Sequence, residues 1–184
     1  MKAKQIFPIV IIVLMACSAL ITGCRPTVIL ESEAEPLENI RAVFSEASYY
    51  HYYEEAEIYT VYDSGKKSIG YLFYANGMGE TIPSGEGLSK TAGPIVILVG
   101  MEDAETLKGI YVVSHSETDI YWELLVRKDY VAQFKGLKVA DAYFNYVGGE
   151  VDAVAGATTS SKLVLNTVRD TAKAKAVYIS EGLQ

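Results

Sequence analysis

Cysteine is nearly absent from this chain of 184 residues, which has only Cys17 and Cys24, both close to the amino terminus. The rest of the chain has no thiol, which excludes disulfide bonds and cysteine-based metal or redox chemistry there. Histidine is equally scarce, and His51 has no partner at a spacing that suggests a metal site. Any electron chemistry of the folded part must therefore come from a bound cofactor.

Basic charge is also in short supply. Lysine and arginine number 16 against 23 aspartates and glutamates, which gives a formal net charge of −7. Nucleic-acid binding needs a basic face, so that class is excluded. The chain has no Gly-x-Gly-x-x-Gly after a strand, which argues against a dinucleotide-dependent reductase. It has no internal repeat either, so we expect one folded unit.

The amino terminus has the three-part pattern of a secretory signal. Lys2 and Lys4 precede an apolar run over residues 6–21, and Ile21-Thr22-Gly23-Cys24 resembles a bacterial lipobox. The sequence therefore predicts a signal peptide over residues 1–23 and lipidation of Cys24. Acyl chains there would hold the protein on a membrane surface without spanning it.

The alternative is a single transmembrane helix, because the apolar run is close to the roughly 17 residues that cross a bilayer. Both interpretations place the folded part on the extracytoplasmic face of the cell membrane. Residues 24–36 include Glu31, Glu33 and Glu35, and we interpret them as a solvated acidic tether. About 160 residues then remain, enough for one domain with a single core.

The hydrophobic pattern predicts an α+β fold in which a small, mostly antiparallel sheet is flanked by helices. Helices are expected over residues 37–47, 120–134 and 162–177. Strands are expected over residues 57–62, 68–74, 95–100 and 109–114, with a β-like segment over 136–146. The tyrosine-rich run 49–53 is expected to pack half-buried, and residues 75–92 are expected to form a long loop.

The organising stretch is the run from Asp152 to Ser161. Gly156 and three alanines leave the backbone bare before four consecutive hydroxyl residues, and a helical apolar pattern follows. The first turn of a helix has unpaired N–H groups and the positive end of the helix dipole, which together favour a phosphate. The same pattern also fits an ordinary loop with a Ser or Thr N-cap.

The spacing Asp-x-x-x-Gly-Ala-Thr resembles the signature of the FMN-binding domain family, found in the G subunit of Rnf complexes and the C subunit of the sodium-pumping NADH:quinone oxidoreductase. Further likenesses are Phe44 to Ala47, Ile69-Gly70-Tyr71, the run from Gly93 to Gly100, and His115-Ser116-Glu117-Thr118. Ala155 stands where that family usually has Ser or Thr. The FMN-binding domain is expected to occupy residues 37–184.

The resemblance implies FMN attached through a phosphoester to Thr158 and installed from FAD by a flavin transferase. The remaining residues assigned to the cofactor site are Asp152, Gly156, Ala157, Thr159 and Ser160. His115, Glu117 and Thr118 are also assigned to the cofactor site, where His115 or Glu117 is expected to hydrogen-bond a flavin edge and Thr118 to cap the following helix. The alternative is that this motif only caps and orients that helix.

The expected role is electron relay between a membrane quinol or NADH-derived donor and an extracytoplasmic acceptor. A threonine without a Ser-His-Asp arrangement is not a plausible catalytic nucleophile, so we predict a carrier more readily than an enzyme with its own substrate. The alternative is a lipid-anchored solute-binding or surface interaction module without a cofactor. Colour separates the two, since a flavoprotein is yellow.

Overall fold

The structure is a computed structural model that describes residues 37–79, 82–84, 87–89 and 93–183. The signal peptide, Cys24 and the acidic tether lie outside the described residues. Within the described part of the chain, no helix combines the length and the apolar character needed to cross a bilayer.

A five-stranded antiparallel sheet forms the centre of the fold, with the strand order β1-β2-β3-β6-β7. A separate two-stranded sheet pairs β4 with β5. The expected α+β class is confirmed. The strands are β1 Tyr49–Tyr53, β2 Ile58–Tyr62, β3 Ser68–Gly77, β4 Ile82–Ser84, β5 Gly87–Ser89, β6 Ile95–Met101 and β7 Leu107–His115.

Three α-helices accompany the sheet: α1 Leu37–Val43, α2 Asp119–Arg127 and α3 Thr158–Glu181. Short 3-10 segments at Tyr130–Phe134, Val139–Asp141 and Asn145–Val147 connect α2 to the loop before α3.

Strand alternation sends neighbouring apolar side chains to opposite faces of the sheet. Leu72 and Leu98 pack on one face with Ile40 of α1 and Phe44. The other face contributes Phe73, Ile97 and Val99 to a larger cluster that includes Val164 and Val168 of α3. Both faces of β6 are covered, as its unbroken apolar sequence predicts.

The end of the sheet that carries the candidate site brings three strand termini together. Gly77 at the end of β3 pairs with Ile95 at the start of β6, and Ile95 pairs with His115 at the end of β7. Helix α3 lies so close to β3 here that a methyl group on Gly77 would collide with Thr167 Oγ1. The amino-terminal half of α3 is thus seated beside this edge.

Several local predictions are wrong. Helix α2 ends at Arg127 rather than continuing to residue 134, because Asp129 adopts a left-handed conformation with φ of 48°. The chain then turns so that Tyr130 and Phe134 are buried against each other, with ring centroids 5.7 Å apart. On this 3-10 path both rings belong to the larger hydrophobic cluster.

The segment 136–146 is not a strand. Leu137 and Val139 are buried while Lys138 between them is exposed, which imitates strand alternation, but 3-10 turns and an isolated Thr106–Lys138 bridge carry this pattern. Part of the expected loop 75–92 is also strand, since β3 continues to Gly77 and β4 and β5 form a small hairpin.

Candidate functional site

A tight turn immediately before α3 forms the centre of the candidate site. Ala157 N–H donates to Val154 O at 3.0 Å, and Gly156 takes a φ of 82°, which a side chain would strain. The buried Ser161 hydroxyl accepts from Val154 N–H at 3.1 Å and donates to Ala157 O at 3.0 Å. One hydroxyl therefore fastens both ends of the turn to the first turn of the helix.

Helix α3 begins at Thr158, so the four hydroxyl residues lie within its first turn. Thr158 and Thr159 are exposed, whereas Ser160 and Ser161 are buried. The residue at the N-cap position is Ala157, which has no side-chain cap hydrogen bond. A helix does follow the Gly-Ala turn as expected, but it begins at Thr158, before the expected range of 162–177, and its N-cap residue is neither Ser nor Thr.

An alanine at the N-cap position leaves the first N–H groups of α3 without a side-chain acceptor. The first N–H groups of an α-helix have no acceptor within the helix, and Ser, Thr, Asp or Asn at the N-cap usually supplies one. With Ala157 there, the N–H groups of Thr158, Thr159 and Ser160 lack that side-chain acceptor. They form, with the helix dipole, a cradle suited to a phosphate.

Asp152 is held in place from two directions. Its carboxylate Oδ1 accepts a hydrogen bond from the Asn145 side-chain amide. Its backbone N–H donates to Gln133 Oε1 at 2.7 Å, and Gln133 Nε2 donates to the Asp152 carbonyl at 3.3 Å. The side-chain amides of Asn145 and Gln133, 7 and 19 residues away in sequence, thus hold Asp152 at the beginning of the loop that leads to α3.

Glu117 contacts the start of α3 through Ser160. Its side chain is 8% exposed, and Oε2 accepts a hydrogen bond from the Ser160 hydroxyl. Its other oxygen, Oε1, is buried without a hydrogen-bond partner among the described residues. Glu117 thus places a buried polar atom that lacks a hydrogen-bond partner next to the start of α3.

His115 and Thr118 belong to the same segment but contact α2 instead. The His115 ring stacks on Trp122 at a centroid distance of 4.0 Å, and its Nδ1 is buried without a partner among the described residues. Thr118 occupies the N-cap position of α2, yet its side chain makes no cap hydrogen bond. Its carbonyl accepts from Tyr121 N–H and Trp122 N–H instead.

Three supporting residues have no signal in the sequence. Gln133 and Asn145 are single polar residues separated from Asp152 by 19 and 7 positions. The buried Tyr130 hydroxyl donates to Ser161 O at 2.8 Å, and burial raises the pKa of this phenol, so it stays protonated as a donor. All three residues lie in 3-10 segments and support the loop before α3 through these hydrogen bonds. The hydrophobic pattern predicted helix and strand for these segments.

A groove opens next to the exposed threonines, between the end of β3 and α3. Its volume is about 260 Å³, and Thr159, Lys162 and Asn166 line it from the helix while Asn76 and Met78 line it from β3 and the residue after it.

Residues 91–173 match the family model described as the FMN-binding domain. The match covers less than half of the chain and shows a similarity of this part to that family. The matched residues run from just before β6 into α3 and include both the His115 to Thr118 segment and the whole loop from Asp152 to Ser161. The domain boundaries of 37–184 stay a prediction, since the match begins at residue 91.

One curated relative is the G subunit of the ion-translocating oxidoreductase complex of Methanosarcina acetivorans, which is 34% identical over 107 residues. The alignment covers 58% of this chain and 51% of the relative, so the chain spans about half the length of that protein. The crystal structure of NqrC from Shewanella oneidensis aligns over 72% of each chain with 17% identity and a TM-score of 0.47.

The residues of this site fit an FMN. The helix start without a side-chain cap suits its phosphate, and Thr158 is an exposed residue with a hydroxyl beside it. Glu117 Oε1 and His115 Nδ1, in the adjoining segment, are buried polar atoms without a hydrogen-bond partner among the described residues. FMN-binding domains of this family would use the group's isoalloxazine ring to accept and release electrons.

Proposed function

We propose that this protein is an extracytoplasmic, membrane-anchored flavoprotein that relays electrons through FMN joined by a phosphoester to Thr158. The observation that carries the proposal is the exposed Thr158 hydroxyl on the first residue of a helix whose N-cap residue, Ala157, makes no side-chain cap. The hydroxyl offers an acceptor oxygen, and the first-turn N–H groups, which have no side-chain cap, offer a place for the phosphate that becomes attached to it.

The four hydroxyl residues differ in exposure and in hydrogen bonding, and these differences support Thr158 as the acceptor. Ser161 is buried and bonded to the turn, and Ser160 is buried and bonded to Glu117. Thr159 is exposed but lines the neighbouring groove. For Ser160 we propose a contact between its backbone N–H and the FMN phosphate. Gly156 and Ala157 hold no bulk in front of the acceptor, and Asp152 fixes the loop through Asn145.

The attachment itself is a transfer from FAD catalysed by a flavin transferase. Oxygen Oγ of Thr158 forms a bond to the phosphorus on the riboflavin side, the diphosphate bond breaks, and AMP leaves with the hydroxyl proton transferred to the transferase or solvent. No oxidant or reductant is consumed. Thr158 acts as an acceptor, so it needs exposure and room rather than a neighbouring base.

A covalent link suits a protein outside the cytoplasm, where a freely dissociating cofactor would be lost. The relative from Methanosarcina acetivorans, about half of whose length this chain spans, is a subunit of an ion-translocating oxidoreductase complex. We infer a membrane quinol or NADH-derived donor on one side and an extracytoplasmic acceptor on the other. Lipid on Cys24, outside the described residues, would keep the domain at that surface.

The test is co-production with a flavin transferase and export, followed by fluorescence of the denatured band on a gel. Wild-type protein should fluoresce, Thr158→Val should not, and Thr158→Ser should regain fluorescence because it restores a hydroxyl. Thr159→Val is the matched control and should fluoresce like wild type. Equal fluorescence of the Thr158→Val and wild-type bands would refute attachment at this residue.

A further inference from the structure

Strand β1 forms one edge of the five-stranded sheet and pairs with β2 alone among the described strands. An edge strand presents backbone N–H and C=O groups along its outer side, and a strand of another chain can pair with them. The opposite edge, β7, is partly covered, because Leu107 N–H donates to Leu137 O and Gly136 N–H donates to Leu107 O, both at 2.9 Å. In the described part of the chain, β1 is therefore the more open edge of the sheet.

Strand β1 also lacks the features by which edge strands usually resist pairing. It contains no proline, lysine, arginine, aspartate or glutamate, and its five residues pair with β2 in one continuous register. Strand β7, in contrast, contains Lys108 and has two register shifts in its pairing with β6. A regular strand without charged residues is suited to accept another strand.

The sequence of β1 is the same in both directions, Tyr-Tyr-His-Tyr-Tyr. When two copies of this strand pair antiparallel about the central residue, His51 lies opposite His51 of the second copy. Tyr50 then lies opposite Tyr52 of the second copy, and Tyr49 opposite Tyr53 of the second copy. Aromatic side chains directly opposite one another stabilise an antiparallel pair. The strand is thus complementary to itself, as the interface of a twofold dimer requires.

The rings of β1 are already packed within one copy. All five residues are half-buried. His51 contacts Tyr53 edge-on at a centroid distance of 4.6 Å, and Tyr52 packs on Tyr59 of β2, also at 4.6 Å. Tyrosine supplies a large contact area at a low cost in conformational entropy, and rings that are already packed lose little further freedom on association.

The acidic charge of the chain lies away from the centre of this contact. Two copies with a net charge of −7 each repel one another at long range. The acidic residue nearest to β1 in sequence is Glu54, three positions from His51. In the antiparallel pair the two Glu54 residues lie on opposite sides of the axis, about 20 Å apart along the strands, which exceeds the Debye length of about 8 Å. Screening therefore removes most of the repulsion between them.

We propose that β1 pairs antiparallel with β1 of a second copy of this chain, with His51 on the twofold axis, so that the two five-stranded sheets join into one. This pairing goes beyond the proposed electron relay and does not depend on it. His115, beside the candidate functional site, lies on the opposite edge strand, four strand spacings or about 19 Å from β1. Each copy therefore keeps its own site away from the shared edge.

The first test is disulfide cross-linking of the full chain in the membranes of the producing cells. Directly opposed residues of an antiparallel pair have Cα atoms about 4.5–5.5 Å apart, within the range of about 4.4–6.8 Å that a disulfide spans. Mild oxidation of His51→Cys should therefore give a covalent dimer on a non-reducing gel. Wild type, which has Cys17 and Cys24, gives the background.

The matched control is Tyr49→Cys, in the same strand and also half-buried. Its two copies would lie four residues apart along the paired strands, about 13 Å, which is too far for a disulfide. This variant should stay at the wild-type background. Absence of a dimer with His51→Cys, or equal amounts with both variants, would refute the pairing.

The second test exchanges the charge on the axis. Two full-length copies with different affinity tags are produced together, and one is captured from a detergent extract. Recovery of the other copy should fall about fivefold when both carry His51→Lys, because like charges directly opposite one another destabilise a strand pair. Recovery should return when one copy carries His51→Lys and the other His51→Glu.

Val113→Lys in both copies is the matched control, since Val113 is an exposed residue of the opposite edge strand. It should leave recovery at the wild-type level. The proposal is overturned if wild type recovers no second copy, or if the mixed lysine and glutamate pair recovers no more than the lysine pair. The cross-linking result stands independently of how well the charged variants fold.

Discussion

At the scale of single residues, the Ser160 hydroxyl is important because it is the hydrogen-bond partner of a buried carboxylate. Ser160→Ala would leave both Glu117 oxygens without a partner among the described residues, and we expect a loss of about 1–3 kcal/mol in unfolding free energy. Denaturant titration measures this loss. Thr159→Ala, one residue earlier and exposed, should change stability by no more than about 0.5 kcal/mol. Equal losses in the two variants would contradict the proposed role of Ser160.

Tyr130 provides a pH-dependent test of the same support. Tyr130→Phe removes the hydrogen bond to Ser161 O and should cost about 1 kcal/mol at neutral pH. Burial raises the pKa of Tyr130 above its ordinary value of 10.0, so the neutral phenol is favoured in the folded state. This contribution is complete below pH 10 and is lost as the pH rises further, because the unfolded chain then releases the proton first.

The unfolding free energy of wild type should therefore fall more steeply above pH 10 than that of Tyr130→Phe. The exposed Tyr121 gives the control, and Tyr121→Phe should keep the wild-type slope. Denaturant titrations at neutral and alkaline pH measure both slopes. Parallel curves for wild type and Tyr130→Phe would show that the buried phenol has no such role.

At the scale of elements, α3 has a left-handed glycine at each end. Gly156 has φ of 82° before the helix and Gly182 has φ of 78° after it. Alanine at either position should cost about 1 kcal/mol or somewhat more, because both conformations are strained for a residue with a Cβ. Denaturant titration checks these losses.

The two glycine variants should differ in flavin attachment. Gly156→Ala distorts the turn that presents Thr158, so we expect a lower yield of covalent flavin from co-production with the transferase. Gly182→Ala has the same kind of strain far from the acceptor and should be loaded fully. A fully loaded Gly156→Ala variant would show that the turn geometry is unimportant for attachment.

The same helix shows what could be read from the sequence. Its start was predictable because glycine, small residues and hydroxyls precede an apolar helical pattern, and these are local signals. The break after α2 was not, because Tyr130 and Phe134 keep a four-residue spacing that fits a helix, while the left-handed Asp129 leaves no comparable mark. Tertiary packing of the two rings decides the path.

The site was predictable to a similar extent. Thr158, Gly156 and Asp152 belong to one contiguous motif, and Glu117 lies in a second one. Gln133 and Asn145 could not be found, because each is a lone amide whose role arises only when the 3-10 segments bring it to Asp152. The buried pairing of Ser160 with Glu117 likewise depends on the strand ends that meet at that edge of the sheet.

At the scale of the whole molecule, we propose that a lipid anchor on Cys24 decides at which surface the protein acts. Cys24→Ser should release the protein from the membrane fraction after cell disruption, because the acyl chains would be missing. Cys17→Ser, inside the apolar segment, should remain in the membrane fraction. Immunoblots of membrane and soluble fractions read out both variants. Membrane retention of Cys24→Ser would favour a transmembrane anchor instead.

The central claim is that the hydroxyl of Thr158, at the start of α3, carries the flavin. Trypsin should release residues 139–162, a peptide that contains Thr158, Thr159, Ser160 and Ser161 and ends at Lys162. Tandem mass spectrometry of this peptide, from protein exported together with a flavin transferase, is the most direct measurement. The account predicts an FMN phosphoester localised by fragment ions to Thr158. An unmodified peptide, or a flavin on another of these residues, would contradict it.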